Sequence, residues 1–600
     1  MRVLAAIDYW IMAIYTVVCI VLGFYYTKRA SKDVDQFFLT GRSMPWWLIG
    51  ASMAATNFSI DTPLAITKYV FTEGVGGVWF FWSSAISGMV ATFFFAKMWR
   101  KAQVMTDAEI VERRYSGKPA AALRVFKGCY FGILVNCFVM GWVFLAVFKV
   151  LRGFTNIDPF WIVVGSAVAV TVYSLASGLY GVILTDFIQY GFCLLGSFAL
   201  MYYSLKGAGG TEQLVATINS MFGENSGALS FVPSWDSTSQ IFKGVPMSAF
   251  LVYILVQWWS QKYSDGGGKH IQRMSAAKNE KHATLATFFF TVMNYAIQTW
   301  PWIIVALCAL TIYGRDIADP EMTYVWMMAK WLPHGILGIM LVSLIAAFMS
   351  TISTHINLGG SYMINDIYRR FLVKNASEKH YVGMSRVATV LSLGIAILIS
   401  LNMKSVGDSW KFIISFASGA GVTWVLRWFW WRINAWSEFS GMISSGIIAI
   451  YISIFHPDMG FGYKIIINVV LSAVVWLTVT FLTKPVDEKV LVAFVEKIQP
   501  GSPGWNYIYK KYGIKSGGFA ARAIVNTLVG ILFFATFNFA IGGFLLAKYE
   551  LATALGVIAV ISGGFLLHRI SSESKTKPAE SRAAIEHEGV NYIVEPYSRG

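Results

Sequence analysis

The sequence predicts an all-helical protein that crosses a membrane many times, and three observations carry the prediction. Only 13% of the 600 residues are charged while 56% are hydrophobic, whereas a soluble globular chain runs at about 25% charged. Apolar runs of about 20 residues, each enough to cross a hydrocarbon core of about 30 Å, recur from end to end. Basic residues gather after alternate runs, as they do when loop charge sets orientation.

Run length gives about 15 spans. They lie near residues 6–27, 45–68, 76–98, 124–150, 158–177, 182–205, 246–264, 283–313, 335–364, 384–402, 411–433, 438–456, 464–483, 523–546 and 550–568. The first lacks a small-residue cleavage site and is too long for a signal peptide's apolar region, so it reads as a retained helix. Lys28, Arg29, Lys32 and Arg42 follow the first span; Arg100, Lys101, Arg113 and Arg114 follow the third. Lys269, Arg273, Lys278 and Lys281 follow the seventh, and Arg369 and Arg370 the ninth. This positive-inside pattern places the N-terminus outside, and an odd number of spans then puts the C-terminus in the cytoplasm. The net charge of +16 follows from orientation by loop charge, and no nucleic-acid partner is implied. Cys19, Cys129, Cys137, Cys193 and Cys308 all fall in apolar spans; an odd number without a pairing pattern argues against a disulfide framework.

Two spans carry residues that break helices. The second holds Thr56, Asn57, Ser59, Asp61, Thr62 and Pro63 in mid-membrane, and the seventh ends in Gln261-Lys262-Tyr263-Ser264-Asp265-Gly266-Gly267-Gly268. Taken singly, Pro63 is a kink and the glycines a cytoplasmic turn. Backbone freed from a helix inside a bilayer must line a cavity or be buried in protein, and paired breaks in corresponding spans point to a transporter binding site. The ninth span adds a row of hydroxyls, Ser350, Thr351, Ser353 and Thr354, beside the small Ala347. At about 100° per residue they share an arc of ~160°. Such residues also serve as glue between membrane helices, but four in five positions form a surface of oxygen ligands, the kind a hard cation requires.

Several short motifs, in order, resemble the sodium:solute symporter family, the bacterial relatives of sodium–glucose transporters. They are Phe37-Phe38-Leu39-Thr40-Gly41-Arg42 with Trp46-Trp47 and Gly50-Ala51-Ser52, then Thr106-x-x-Glu109 before Arg114-Tyr115. Gly178-Leu179-Tyr180-Gly181 follows with Thr185-Asp186-Phe187-Ile188-Gln189, then Gln272-Arg273 before Ala276-Ala277-Lys278, and Asp366-Ile367-Tyr368. The resemblance runs from about Tyr9 to Leu482 and implies a leucine-transporter-type fold, a 5+5 inverted repeat with additional flanking helices. The expected parts are 1–44, an N-terminal helix and loop; 45–205, the first five-helix repeat; and 206–245, an external segment. The second repeat takes 246–435, accessory helices with a cytoplasmic loop at 484–522 take 436–570, and a cytoplasmic tail takes 571–600.

The resemblance also implies function: a transporter, not an enzyme, in the inner or plasma membrane, coupling inward sodium flux to uptake of a small organic solute by alternating access. Na+ is the coupling ion, no organic cofactor is expected, and no obligate protein partner is evident. One sodium is expected among the carbonyls of Ala55 and Phe58 and the residues Ala347, Ser350 and Thr351. Some members hold a second, deeper sodium, for which Asp186, Ser350, Ser353 and Thr354 match; Asp186 has the alternative role of capping the inside loop. Polar residues expected to face the solute are Asn57, Asp61, Thr62, Ser84, Asn136, Ser260, Asn294 and Gln298, the last two at i, i+4. Trp82 and Tyr263 match positions where relatives stack on or gate the solute. Amides over an aromatic floor suit a sugar or sugar-derived acid. The seventh-span glycines and Asp61 depart from sugar-transporting relatives and keep an amino acid or other organic acid in view.

Rival classes fit less well. A channel needs a continuous polar pathway, and a membrane enzyme needs a convergent catalytic set. The eight histidines are scattered without metal-ligand spacing, and His355 reads as a helix-packing residue. A sensor would need a signalling domain that the short tail does not supply.

Overall fold

The computed structural model describes residues 4–30, 42–104, 106–176, 179–233, 241–242, 246–516 and 519–572. The motif residues Phe37 to Gly41, Gly178 and nearly all of the C-terminal tail lie outside them. Among the described residues the structure is helical throughout, with one isolated backbone bridge between Met44 and Ala277.

The second run divides where its sequence predicts. After α1 (Ala6–Ala30), α2 (Trp46–Asn57) stops at Phe58, whose backbone is extended at ψ 90. The chain resumes as α3 (Asp61–Glu73), with Pro63 in its first turn, where its missing N–H costs no helical hydrogen bond. Continuous spans follow: α4 (Val75–Ala102) and α5 (Gly117–Arg152), α6 (Pro159–Ala176) and α7 (Leu179–Gly207).

The seventh run breaks as well. α8 (Met247–Ser260) gives way to an irregular stretch before the short α9 (Ile271–Ala276). Tyr263 takes a left-handed φ of 60° there, and Gly268 one of 65°. A Cβ on Gly268 would lie 2.5 Å from the Tyr263 ring, so only glycine fits beneath it. Beyond lie α10 (Glu280–Tyr313), α11 (Ile336–Leu372) and α12 (Glu378–Asn402).

A third break differs from the sequence expectation. Residues 411–433 read as one span, yet the structure builds α13 (Val406–Ala417) and α14 (Gly421–Phe429), bent by 48°. Gly419, between Ser418 and Ala420 in the gap, lowers the cost of leaving the helical path. α15 (Ala435–Phe455), α16 (Phe461–Leu482), α17 (Phe519–Leu545) and α18 (Tyr549–Ser572) complete the chain.

Ten of the described helices are long and apolar enough to cross a membrane, eleven if the α13–α14 pair is one span. The difference from about 15 lies in four runs. The first, fifth and seventh contribute the shorter described apolar stretches Ala6–Val18, Pro159–Val168 and Met247–Ser260, and the second is split at α2–α3.

Two sets of contacts hold the breaks in place. Met44 N donates to Ala276 O at 3.1 Å and Lys278 N to Met44 O at 3.1 Å, joining the approach to α2 with the exit from α9. Asp265 accepts from Arg427 Nη2 at 2.5 Å and Trp428 Nε1 at 2.9 Å, and its carbonyl from Trp99 Nε1 at 2.7 Å. Glu438 continues this buried network to Lys127 at 2.5 Å and to the Tyr115 hydroxyl at 2.5 Å. Losing one member would strand a buried charge, which costs about 3–5 kcal/mol. Other motif residues meet here too: Thr106 Oγ1 and Arg124 both donate to Asp366.

Candidate functional site: a cavity between the broken helices

The end of α2 exposes backbone oxygens. A helix leaves its last four carbonyls without an i+4 amide. Here Ala54 O accepts from Phe58 N at 2.7 Å, and Asn57 O accepts from Thr62 Oγ1 at 3.4 Å. Thr56 O accepts from Lys269 Nζ at 3.2 Å and Thr351 Oγ1 at 3.5 Å. No donor among the described residues reaches the carbonyls of Ala55 and Phe58. The Thr351 bond brings the hydroxyl row of α11 against this turn, and Ala55, Phe58, Ala347, Ser350 and Thr351 are all buried. Buried carbonyls without donors carry a desolvation cost that a hard cation would relieve, so these residues fit sodium.

A second cluster is centred on Asp186 of α7. Its Oδ1 accepts from Ser350 Oγ at 2.7 Å, and its Oδ2 from Ser52 Oγ at 2.6 Å and Arg273 Nη2 at 3.1 Å. Arg273 also donates from Nε to Ser52 Oγ at 2.8 Å and from Nη2 to Thr354 Oγ1 at 3.4 Å. Ser353 Oγ turns back to Ser350 O at 3.0 Å. The carboxylate and hydroxyls expected for a deeper sodium thus stand together, with an arginine among them. Of the residues counted in the sequence as loop charges, Arg273 and Arg114 are fully buried and Lys269, half-buried, lines an internal cavity; Arg114 Nε donates to Arg427 O at 2.7 Å.

Beside the break of α2–α3 lies a cavity of about 260 Å³. It is walled by Asn57 of α2; Phe81, Ser84 and Ser87 of α4; Val139 and Trp142 of α5; and Tyr295 of α10. Gln261, Lys262, Tyr263, Lys269 and His270 come from the seventh-run break, with His355 of α11 and Trp410 of α13. Wider π-type turns interrupt α4, α8 and α10 at Ala91–Phe95, Tyr253–Gln257 and Met293–Ile297. Such turns re-aim side chains near functional sites; Ala91 and Tyr295, from two of them, face the cavity.

Of the ten solute residues expected from sequence, Asn57, Ser84 and Tyr263 line this cavity. Asp61 lies one layer behind, its Oδ2 accepting from the Trp410 indole at 3.0 Å. Thr62 turns to the Asn57 carbonyl. Trp82 packs against Trp79, Trp300 and Phe539. Asn136 clasps His355, with Nδ2 to its carbonyl at 2.9 Å and Oδ1 to Nδ1 at 2.6 Å. Ser260 bonds the Gln257 carbonyl at 3.4 Å. Gln298 donates to Asn294 Oδ1 at 2.7 Å and accepts from Tyr190 at 3.1 Å.

Sequence reasoning did not single out Trp142, Gln261, Lys262, Lys269, His270, Tyr295 or Trp410 for the site. The available signal was a lysine flanking a break within a span, since intramembrane charge marks function by default.

The model of the sodium:solute symporter family matches residues 37–445. The chain belongs to this family. As a sodium:solute symporter it is a multi-pass membrane transporter rather than an enzyme, with sodium and a small solute as its partners. It is 26% identical over 495 residues to a sodium/glucose cotransporter of Vibrio parahaemolyticus, covering 79% of this chain and 90% of the relative. It is also 26% identical over 558 residues to sodium/glucose cotransporter 1 of Mus musculus, covering 81% and 80%. Sodium/myo-inositol cotransporter 2 of Sus scrofa is 24% identical over 499 residues, covering 76% and 72%. Among solved structures, a sodium-coupled sialic acid symporter in a substrate-bound, outward-open state superposes with a TM-score of 0.66 at 21% identity, covering 80% of this chain and 99% of that one. That likeness establishes the leucine-transporter-type fold expected for this symporter.

Proposed function

We propose that this symporter couples inward sodium flow to uptake of a sugar or sugar-derived acid by alternating access. The observation that carries it is the pair of carbonyls at Ala55 and Phe58 without donors, set beside the Thr351 hydroxyl of α11 and flanking Asn57, which lines the cavity. An ion held there stiffens the break that walls the solute cavity at Asn57, so ion and solute stabilise the same conformation. The glucose and inositol cotransporters among its relatives and its sialic acid-transporting structural neighbour support a polyhydroxylated solute. One charge moved through 100 mV releases about 2.3 kcal/mol, and a tenfold sodium gradient adds about 1.4 kcal/mol. Each coupled ion therefore sustains a solute gradient of at most about several hundredfold.

The test is uptake of labelled hexoses and hexuronates into proteoliposomes under an inward sodium gradient. Accumulation should vanish when potassium replaces sodium or an ionophore collapses the gradient. Equal uptake in both conditions would exclude sodium coupling.

A further inference from the structure

Resting on the symport reading above, we infer that the solute carries a carboxylate and that Lys262, with Lys269 behind it, receives that group. Lys262 lines the cavity, and its ammonium makes no hydrogen bond or ion pair among the described residues. Its nearest partners are ring faces, with Nζ 5.3 Å from the Trp142 centroid and 5.9 Å from that of Tyr263. An aromatic face attracts a cation but returns only part of what its removal from water takes away. Lys269 lines the same cavity and donates only to a neutral oxygen, that of Thr56.

No aspartate or glutamate is among the residues that line the cavity. Arg273 is matched by Asp186, which leaves Asp61 to balance both lysines. Asp61 sits behind Trp410 and spends one oxygen on its indole. Two ammoniums against one carboxylate leave one positive charge in excess, to which a bound sodium adds, and a solute carboxylate draws that balance toward neutral. A neutral sugar would leave it open. A zwitterionic amino acid would add an ammonium of its own facing the lysines.

The other walls suit the rest of a sugar acid. Phe81 and Trp410 stack with centroids 6.1 Å apart, offering an apolar platform for a sugar ring. Ser84 and Gln261, in contact at 3.4 Å, and Asn57 supply neutral donors and acceptors for hydroxyls.

The experiment is thermal stabilisation of the purified protein in sodium buffer by matched pairs: glucose with glucuronate and gluconate, galactose with galacturonate, N-acetylneuraminate with its methyl ester, and alanine as the zwitterion. At least one acid should bind about tenfold or more tightly than its neutral partner. Lys262→Gln should remove that preference while Lys262→Arg retains it. If the glutamine variant does not purify, Lys262→Met, which preserves packing on Trp142, makes the same comparison. A neutral sugar or alanine binding as well as the acids, no acid binding, or acid binding unchanged in the neutral variants would each overturn the assignment. Sodium-driven accumulation of a neutral sugar alone would overturn the carboxylate and leave symport standing. Lys262-dependent acid binding with uptake indifferent to sodium would do the reverse.

Discussion

Around Asp186, three donors converge on one buried carboxylate, and its partners separate two roles by measurement. Replacing both Ser350 and Thr351 by Ala removes two hydroxyls from α11 without loss of helix propensity. Sodium activation of uptake should disappear while the protein still inserts; unchanged activation would exclude the site at Ala55 and Phe58. For the deeper ion, we expect uptake to rise steeply and sigmoidally with sodium in the parent and nearly hyperbolically in Asp186→Asn. The single substitution also leaves Arg273 buried without its partner, a cost of about 3–5 kcal/mol, so expression should fall. Adding Arg273→Gln removes the stranded charge and should restore it. A sodium Hill coefficient that stays the same in both variants would assign Asp186 to the arginine alone.

At the scale of elements, the seventh-run break packs against the break between α13 and α14. Ser264 Oγ, in the seventh-run break, donates to Gly421 O at 2.9 Å, and a Cβ on Gly421 would stand 2.0 Å from the Ser260 carbonyl oxygen. Backbone cannot yield as a side chain does, so Gly421→Ala should force α14 away from α8. We expect it to cost about 1–3 kcal/mol, read as a melting temperature several degrees lower with loss of uptake. Gly394→Ala in α12, where the added carbon meets nothing within 4 Å, serves as the control. Equal melting of the two variants would contradict the packing. The first two breaks were legible from Thr56 to Pro63 and from three successive glycines, because local residues create them. The bend between α13 and α14 was not, since small residues permit a bend and only the neighbouring helix imposes it.

For the whole molecule, orientation follows from charge and contact together. Asp8, near the start of α1, accepts from the amides of Gly335 at 2.7 Å and Gly338 at 3.0 Å. The first turns of α1 and α11 therefore share one face of the protein. Loop charge predicts that this face lies outside. A reporter fused after Ser571 should read as cytoplasmic, and one inserted in 206–245 as external. The same side for both would break the span count. The interior positions of Arg114, Lys269 and Arg273 leave this expectation resting on residues such as Arg100, Lys278, Arg369 and Arg370.

Composition and run length by themselves determined a helical membrane protein, and local breaks together with the hydroxyl row pointed to the region we propose binds sodium. These are short-range properties, written in adjacent residues. Which polar side chains face the cavity was decided only by the tertiary structure. A helix buried on all sides has no polar face for periodicity to reveal, so Asn294 and Gln298 look like cavity residues until Tyr190 is found against them. Arg273 and Lys262 look alike as cations after a span, yet the first pairs with a carboxylate from another helix and the second lies against ring faces without an ion pair. That distinction depends on partners far away in the chain, and folding alone brings them together.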